Sequence, residues 1–121
     1  MRALIVDDSR AMRSILGRIV TQLGFEVSQA GDGKQALTAL TTATPPDLVL
    51  VDWNMPEMNG LELVRAVRAD AALAKVVLIM VTTQSEGSNL QDAIDAGANE
   101  YVMKPFTPEI LTDKLRLVGL V

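Results

Sequence analysis

The chain has 121 residues, a hydrophobic share of 49% and a formal net charge of −4, which fits one folded domain with a single core. Because it contains no cysteine and no histidine, it has no disulfides, no thiolate or imidazole metal sites and no histidine phosphocarrier. The acidic balance argues against a nucleic-acid surface, and no apolar run reaches the roughly 18 residues of a membrane span. We therefore expect one cytoplasmic domain over residues 1–121, with neither membrane insertion nor a nucleic-acid partner.

Short apolar runs alternate with segments of helical periodicity along the chain. In order, the pattern predicts strand Ala3–Val6, helix Arg10–Leu23, strand Phe25–Ala30, helix Gly33–Thr41, strand Asp47–Val51, helix Gly60–Ala69, strand Val76–Val81, helix Ser88–Ala96, strand Glu100–Met103 and helix Pro108–Val118. Three of these strands are nearly continuous apolar runs, which is typical of strands covered on both faces. Thr107 and Pro108 supply a helix N-cap followed by proline, and Gly24 and Gly97 suit left-handed helix ends.

Five strand–helix units in series predict a parallel sheet with right-handed crossovers, hence a three-layer α/β/α sandwich. The second run ends in Ala30-Gly31-Asp32, whereas the other four end at a carboxylate, a hydroxyl or a lysine. An edge position for the second strand, beside the first, gives the flavodoxin-like order 2-1-3-4-5. That order predicts that the four polar strand ends lie side by side.

The candidate site consists of five polar residues at these strand ends. Asp7 and Asp8 follow the first run, Asp52 the third, Thr82 the fourth and Lys104 the fifth. Ligands of open parallel sheets bind outside the carboxyl ends of the strands. Neighbouring carboxylates repel one another unless a cation neutralises them, and a site with only oxygen donors favours Mg²⁺. The set therefore predicts a pocket for a hard cation and an anionic group.

The residues alone leave several roles open. Asp8 and the serine after it could simply cap the first helix, which is compatible with metal binding. Asp52 could be a surface turn residue, a metal ligand, a base or a nucleophile that accepts a phosphoryl group. Lys104 could be a solvated lysine before a turn. Periodicity does not decide whether Thr82 or its neighbour Thr83 is the hydroxyl of the site.

Four segments of the chain resemble the response-regulator receiver family. They are Val6-Asp7-Asp8-Ser9, Asp52-Trp53-Asn54-Met55-Pro56-Glu57-Met58-Asn59-Gly60-Leu61-Glu62-Leu63, Met80-Val81-Thr82 and Tyr101-Val102-Met103-Lys104-Pro105-Phe106-Thr107. The similarity covers the whole chain, and the aspartate–Met-Pro–Gly and Lys-Pro-Phe motifs are specific to the family. Within it, the chain most resembles the single-domain chemotaxis regulators. A receiver domain of flavodoxin-like fold is therefore implied.

The resemblance implies a role for each residue of the acidic site. Asp52 is implied to be the phospho-acceptor. The carboxylates of Asp8 and Asp52, with the main-chain carbonyl of Asn54, would bind Mg²⁺, and Asp7 would act on the ion through water. Lys104 would pair with the phosphoryl group, and its bond to the following proline is expected to be cis.

Further roles are implied for residues around this centre. Thr82 is implied to be the switch hydroxyl and Tyr101 the aromatic rotamer switch. Gly60 would permit the turn after the phosphorylation loop, while Asn54 and Gln84 hold positions that tune the lifetime of the phosphoryl group. The face formed by the fourth helix, fifth strand and fifth helix would change on phosphorylation.

The function implied by the resemblance is that of a two-component response regulator, a monomer that acts in chemotaxis or a related pathway. A phospho-histidine of a histidine kinase would donate the phosphoryl group. Self-hydrolysis, with or without a phosphatase, would remove it, and a downstream protein would bind the switched face. It would not be an enzyme beyond this self-directed chemistry. Ser85-Glu86-Gly87-Ser88 lacks the basic residues of the chemotaxis relatives, whereas Lys114 and Arg116 keep a basic patch on the fifth helix.

Two alternatives use the same residues. The chain could be the receiver part of a larger regulator with a separate output domain. It could instead be a metal-dependent phosphohydrolase with Asp52 as nucleophile. Against the hydrolase, Asp52-Trp53-Asn54 lacks the second carboxylate two residues on that such enzymes use as a general acid.

Overall fold

The computed structural model describes residues 1–42, 44–53, 55, 58–83 and 90–121. The strands are β1 (Arg2–Val6), β2 (Glu26–Ala30), β3 (Leu48–Asp52), β4 (Val77–Thr83) and β5 (Glu100–Lys104). The helices are α1 (Arg10–Gln22), α2 (Gly33–Thr42), α3 (Gly60–Arg68), α4 (Leu90–Ala96) and α5 (Pro108–Leu117), with a short 3-10 helix at Ala71–Leu73. Within the described residues, no helix combines the length and the apolar character needed to cross a membrane.

The strands form one parallel sheet in the order β2-β1-β3-β4-β5. This is the order that the sequence predicted. The central strands are buried on both faces because helices cover the two sides of the sheet. The register aligns the carboxyl ends of the strands, with Val6 opposite Val51, Asp52 opposite Val81 and Thr83 opposite Lys104.

Two hydrophobic cores, one on each face of the sheet, create the three-layer arrangement. One core packs α1 and α5 against the sheet through Leu16, Ile19, Val20, Leu111 and Leu115. The other packs α2, α3 and α4 against the opposite face through Ala36, Leu40, Leu63, Val64, Val67 and Ala93. The three-layer sandwich is therefore confirmed, with two helices on one side and three on the other.

Side-chain caps begin the helices that follow strand ends. Ser9 accepts a hydrogen bond from the Met12 N–H and starts α1, so the N-cap of α1 is Ser9 and not Asp8. Thr107 accepts from Ile110 N–H, and Pro108 occupies the first turn of α5, as predicted. Gly24 and Gly97 both have positive φ, of 97° and 122°, which glycine adopts at little cost.

The strands extend further toward the site than the sequence pattern predicted. Asp52 and Lys104 are the last residues of β3 and β5, and Thr82 lies inside β4, which continues to Thr83. β4 and β5 remain paired as far as Thr83 and Lys104. A pattern of apolar residues cannot show that polar residues belong to a strand. The 3-10 helix was not predicted; Asp70 caps it by accepting from the Ala72 N–H. The predicted start of the fourth helix at Ser88 lies outside the described residues.

Arg68 anchors the opposite end of the sheet. Its guanidinium donates five hydrogen bonds, all to carbonyl or amide oxygens, over distances from 2.7 to 3.3 Å. The acceptors lie in the turn after α4, at the end of the 3-10 helix and just after it, and immediately before β4 and β5, namely Gly97, Leu73, Ala74, Val76 and Asn99. One side chain at the end of α3 thus fixes the starts of β4 and β5.

Two glycines give opposite predictions for substitution by alanine. A Cβ on Gly17, a buried residue of α1, would make only ordinary contacts at 3.7 Å with side chains of Ile5, Val27 and Gln29. We expect Gly17→Ala to raise the free energy of unfolding by about 0.5–1 kcal/mol, because alanine loses less backbone entropy in a helix. Urea denaturation monitored by circular dichroism measures the change.

Gly60→Ala is the matched contrast, since it adds the same methyl group at the start of another helix. Its Cβ would lie 2.6 Å from the Met80 Cε and 2.7 Å from the Asp52 carbonyl oxygen. Because that oxygen is backbone, we expect a loss of about 1–3 kcal/mol from overpacking. Equal effects of the two substitutions would contradict this account of the packing around β3.

Candidate phosphoryl-acceptor and metal site

The four polar strand ends meet at one edge of the sheet, as the strand order predicted. Asp7 directly follows β1, Asp52 ends β3, and Lys104 ends the edge strand β5. The four residues of β3 that precede Asp52 are all buried, so a tightly packed strand holds this carboxylate in place. Its own exposure is only 6%, and that of Asp7 is 1%.

Asp7, Asp8 and Asp52 form an acidic cluster. One carboxylate oxygen from each lies within 4.8 Å of those of the other two. Asp7 and Asp52 are buried, whereas Asp8 is exposed at the mouth of the cluster. A hard divalent cation is held by such oxygen donors at 2.0–2.6 Å, with waters completing its coordination shell. The arrangement therefore has both the ligands and the solvent access that a magnesium ion needs.

Lys104 provides the positive charge of the cluster. Its Nζ lies 3.1 Å from Asp52 Oδ1 and 3.8 Å from Asp7 Oδ2, so one ammonium group faces two buried carboxylates. The peptide bond between Lys104 and Pro105 is cis, which confirms the geometry implied by the resemblance. One lysine leaves excess negative charge among the three carboxylates, and a bound cation would balance it.

Asp7 has one satisfied and one unsatisfied oxygen. Its Oδ1 accepts a 2.8 Å hydrogen bond from the Ser9 N–H. Its Oδ2 is a buried oxygen for which the described residues offer no hydrogen-bond donor, since the Lys104 Nζ at 3.8 Å is too far for one. Leaving a buried carboxylate oxygen in this state costs free energy. A metal-bound water is a donor that would satisfy it, which supports the fit between these residues and Mg²⁺.

Burial and repulsion between like charges raise the pKa of both buried carboxyl groups. For Asp7 the main cause is burial, to which the charge of Asp8 adds; the Ser9 N–H and Lys104 act in the opposite direction. For Asp52 the main cause is again burial, followed by the charge of Asp7, while Lys104 lowers the pKa. The site without metal therefore resists full ionisation.

The two threonines at the end of β4 lie on opposite faces of the sheet. Side chains alternate along a strand, and Tyr101 of β5 is in register with Met80. Thr82 therefore shares a face with Tyr101, on the side covered by α2, α3 and α4. Thr83 is in register with Lys104 and shares the face of that lysine. Thr82 is fully buried and donates a long hydrogen bond, 3.4 Å, to the Thr83 carbonyl oxygen.

Tyr101 is half-buried and packs at the border of the core formed by α2, α3 and α4. The Nζ of Lys114, on α5, lies 4.5 Å from the centroid of its ring. Glu100 Oε1 accepts from the Tyr101 N–H at 3.0 Å and pairs with Lys114 Nζ at 3.3 Å. The resemblance singled out Tyr101 but not its contacts with Glu100 and Lys114. A lysine thirteen residues away carries no local signal for such a contact.

Arg13 is a second residue at the site that the sequence did not predict. Its Nη1 donates a 2.6 Å hydrogen bond to the Asp7 carbonyl, and its Nε donates to the Gln29 side chain at 3.1 Å. It thereby ties α1 to the ends of β1 and β2. The sequence showed only that Arg13 is a polar residue on the first helix, six positions after Asp7. An amphipathic helix has many polar residues, so this position did not stand out. The predicted Asn54 ligand and the Gln84 position lie outside the described residues.

Comparison with known proteins extends over almost the whole chain. A family model described as "Response regulator receiver domain" matches residues 3–116. The chain is 42% identical over 119 residues to the chemotaxis protein CheY1 of Helicobacter pylori, covering 98% of this chain and 96% of that protein. It is 45% identical over 116 residues to a chemotaxis protein CheY homolog of Campylobacter jejuni, covering 95% and 89%. The solved structure of the chemotaxis response regulator CheY4 of Vibrio cholerae aligns with a TM-score of 0.89 at 35% identity, covering 97% of each chain.

The raised pKa values predict how the stability of the metal-free protein depends on pH. The contribution of a carboxyl group with a raised folded-state pKa is fully present below its unfolded pKa, about 3.9 for Asp, and is lost as pH rises through the folded-state value. We therefore expect Asp52→Asn to raise the free energy of unfolding at pH 7, with a smaller difference near pH 4. Urea denaturation in EDTA at the two pH values measures this.

Mg²⁺ should act against that difference in stability. A ligand that binds only the folded state at roughly ten times its Kd adds about 1.4 kcal/mol of stability. We expect this gain at pH 7 in the unsubstituted chain and a much smaller gain in Asp52→Asn. Asp113→Asn, which removes the same charge from a side chain that is 69% exposed on α5, is the control. Equal stabilisation of all three proteins by Mg²⁺ would rule out a metal site at the cluster.

Proposed function

We propose that this chain, which belongs to the response regulator receiver domain family, accepts a phosphoryl group on Asp52 from a phospho-histidine of a partner kinase. The observation that carries the proposal is a buried Asp52 carboxylate, 3.1 Å from Lys104 and within 4.8 Å of two further carboxylates. A two-component response regulator needs such an acceptor, held rigidly and next to a cation. With no histidine in this chain, the histidine of the donor would lie outside these 121 residues.

The transfer follows from the positions of the side chains. A carboxylate oxygen of Asp52 forms the new O–P bond as the N–P bond of the donor breaks, and the electron pair of that bond leaves with the imidazole nitrogen. Lys104 moves from pairing with the carboxylate to pairing with an oxygen of the phosphoryl group. Phosphoryl transfer depends mainly on such positioning and on charge stabilisation.

Asp8 and Asp52 would hold Mg²⁺, with Asp7 acting through a metal-bound water and the Asn54 carbonyl as a further ligand. The ion would neutralise charge on the phosphoryl oxygens during transfer. Water attack on the phosphorus of the resulting aspartyl phosphate forms a new O–P bond as the bond to Asp52 breaks, which releases inorganic phosphate and restores the Asp52 carboxylate, so the chain also resets itself. In this proposal its catalysis is confined to its own phosphorylation and dephosphorylation.

Phosphorylation would reach the protein surface through Thr82 and Tyr101. The phosphoryl group adds about −1.5 to −2 charge and new acceptor oxygens. A hydrogen bond from the Thr82 hydroxyl to one of them draws this side chain toward Asp52. Because Tyr101 lies on the same face of the sheet as Thr82, its ring can occupy the volume that the threonine leaves. The surface formed by α4, β5 and α5 then changes, as a shift between two packings.

We also propose the setting in which this switch acts. Relatives named as chemotaxis proteins cover nearly all of the chain at over 40% identity, which supports chemotaxis as the pathway. The chain would act in the cytoplasm, and its partners would be a histidine kinase, a target that binds the α4-β5-α5 surface and a phosphatase that assists the hydrolysis. Lys114 and Arg116 of α5 are paired with Glu100 and Asp113, so these two cations do not make the surface a basic patch that would select an acidic target.

Trp53 makes the proposal measurable in solution. It is the one tryptophan of the chain and adjoins Asp52. Its backbone N–H donates a hydrogen bond of 3.1 Å to the Val81 carbonyl oxygen of the neighbouring strand. We expect saturable changes in its fluorescence on titration with Mg²⁺, and again on addition of beryllofluoride, which imitates a phosphoryl group. Acetyl phosphate with Mg²⁺ should add one phosphoryl group, detected by intact mass spectrometry.

In Asp52→Asn, the fluorescence change with beryllofluoride and the fraction of phosphorylated chain should each fall at least tenfold, because the substitution removes the acceptor oxygen. Asp113→Asn should keep both. A beryllofluoride response that survives Asp52→Ala would refute the role of Asp52. Rapid, repeated hydrolysis of unrelated phosphoesters by the unsubstituted chain would instead support a phosphohydrolase.

A further inference from the structure

A three-residue cluster at the edge of the sheet connects Tyr101 to α5. Lys114 Nζ lies 4.5 Å from the centroid of the Tyr101 ring, within cation–π range. Glu100 Oε1 lies 3.3 Å from the same Nζ and accepts the Tyr101 N–H at 3.0 Å. The carboxylate therefore holds both the backbone of the tyrosine and the cation over its ring.

The cluster reaches from one face of the sheet to the other. Leu111 and Leu115 pack α5 into the core that it shares with α1, whereas Tyr101 packs beside the core on the opposite face. β5 is an edge strand of the described sheet, so Lys114 can pass around this edge to the ring.

Partial burial distinguishes this ion pair from an ordinary surface pair. The side chains of Lys114 and Glu100 are 24% and 21% exposed, whereas those of Arg116 and Asp113, on the same helix, are 66% and 69% exposed. Exposed pairs contribute little because solvent screens them and both side chains lose entropy. The pair of Lys114 with Glu100 is less exposed to solvent and is therefore screened less. The Tyr101 ring also packs against its ammonium group.

We propose that Lys114 is a positioning residue for Tyr101: held by Glu100, it retains the ring in its present place while Asp52 is unphosphorylated. This inference rests on the proposed switch role of Tyr101. A ring that moves toward Thr82 leaves the ammonium group, so the contact stabilises only the resting arrangement. Loss of an interaction present in one of two states shifts their ratio by the full strength of that interaction.

The expected size of the shift follows from the strength of a cation–π contact. A contact at a partly exposed site changes an equilibrium by about two- to fivefold. Lys114→Met keeps most of the aliphatic stem but removes the charge, so we expect the inward arrangement of Tyr101 to become about two- to fivefold more populated without phosphorylation. Lys114→Arg keeps a cation that can lie over the ring and should stay close to the unsubstituted chain. Glu100→Gln should give an intermediate shift.

The test uses the fact that Tyr101 is the one tyrosine of the chain. Ring-labelled [13C]tyrosine gives one set of ring signals in NMR spectra. The unsubstituted chain is recorded alone and with Mg²⁺ and beryllofluoride to define two end points, and the variants are then recorded alone. Nuclear Overhauser contacts between the Tyr101 ring and the Thr82 methyl group provide a second readout, which does not depend on the charge of a nearby lysine. Arg116→Met is the matched control, because it removes one positive charge from the same helix.

The expected result is that Lys114→Met, recorded without beryllofluoride, moves toward the beryllofluoride end point and gains ring–Thr82 contacts, whereas Arg116→Met does neither. If the unsubstituted chain responds to beryllofluoride but Lys114→Met and Arg116→Met both match it at rest, the role of Lys114 is overturned and the switch stands. If beryllofluoride quenches Trp53 yet leaves the Tyr101 signals unchanged, the switch role of Tyr101 is refuted and the inference falls with it. Circular dichroism confirms that each variant is folded.

Discussion

The ion pair between Lys104 and Asp52 is the interaction on which the rest of the site depends. A carboxylate with 6% exposure is costly to ionise, and two further carboxylates lie within 4.8 Å. The ammonium group at 3.1 Å keeps this charge within the folded chain. It is also a mobile partner, since a flexible lysine stem can follow charge from the carboxylate to a group attached to it. The same contact therefore stabilises the resting site and prepares it for an anionic ligand.

The parallel sheet converts residues that are distant in sequence into this one centre. Each functional side chain lies at or just beyond the carboxyl end of a strand whose preceding residues are packed in the two cores. In the proposed switch, changes at the centre have a short route outward, because Thr82 and Tyr101 occupy adjacent strands on the same face. The route ends at an edge strand, where one side of the ring is open to a side chain from α5. In the proposed switch, one strand, β4, therefore lies between the strand of Asp52 and the strand of Tyr101.

The sequence was sufficient for the fold class and the strand order, because apolar runs and the polar residues that end them are local patterns. It also placed Asp7, Asp8, Asp52 and Lys104 at one edge, which the geometry confirms. It could not supply contacts that depend on side-chain reach across elements. Arg13 on the Asp7 carbonyl and Lys114 over Tyr101 are such contacts. The sequence pattern also predicted that the fourth strand ends at Val81, where the apolar run stops. In the structure, hydrogen bonding to β5 continues through the polar residues Thr82 and Thr83.

Arg68 has a consequence for how acid acts on the whole domain. Its five acceptors are carbonyl and amide oxygens, groups that do not titrate in the range where aspartates gain protons. Protonation of carboxylates therefore leaves these five hydrogen bonds in place, whereas the hydrogen bonds that Asp47 and Asp70 accept at the same end of the sheet, from the N–H groups of Arg2 and Ala72, do end on carboxylates. The starts of β4 and β5 are thus joined to α3 by contacts that do not depend on a negatively charged side chain.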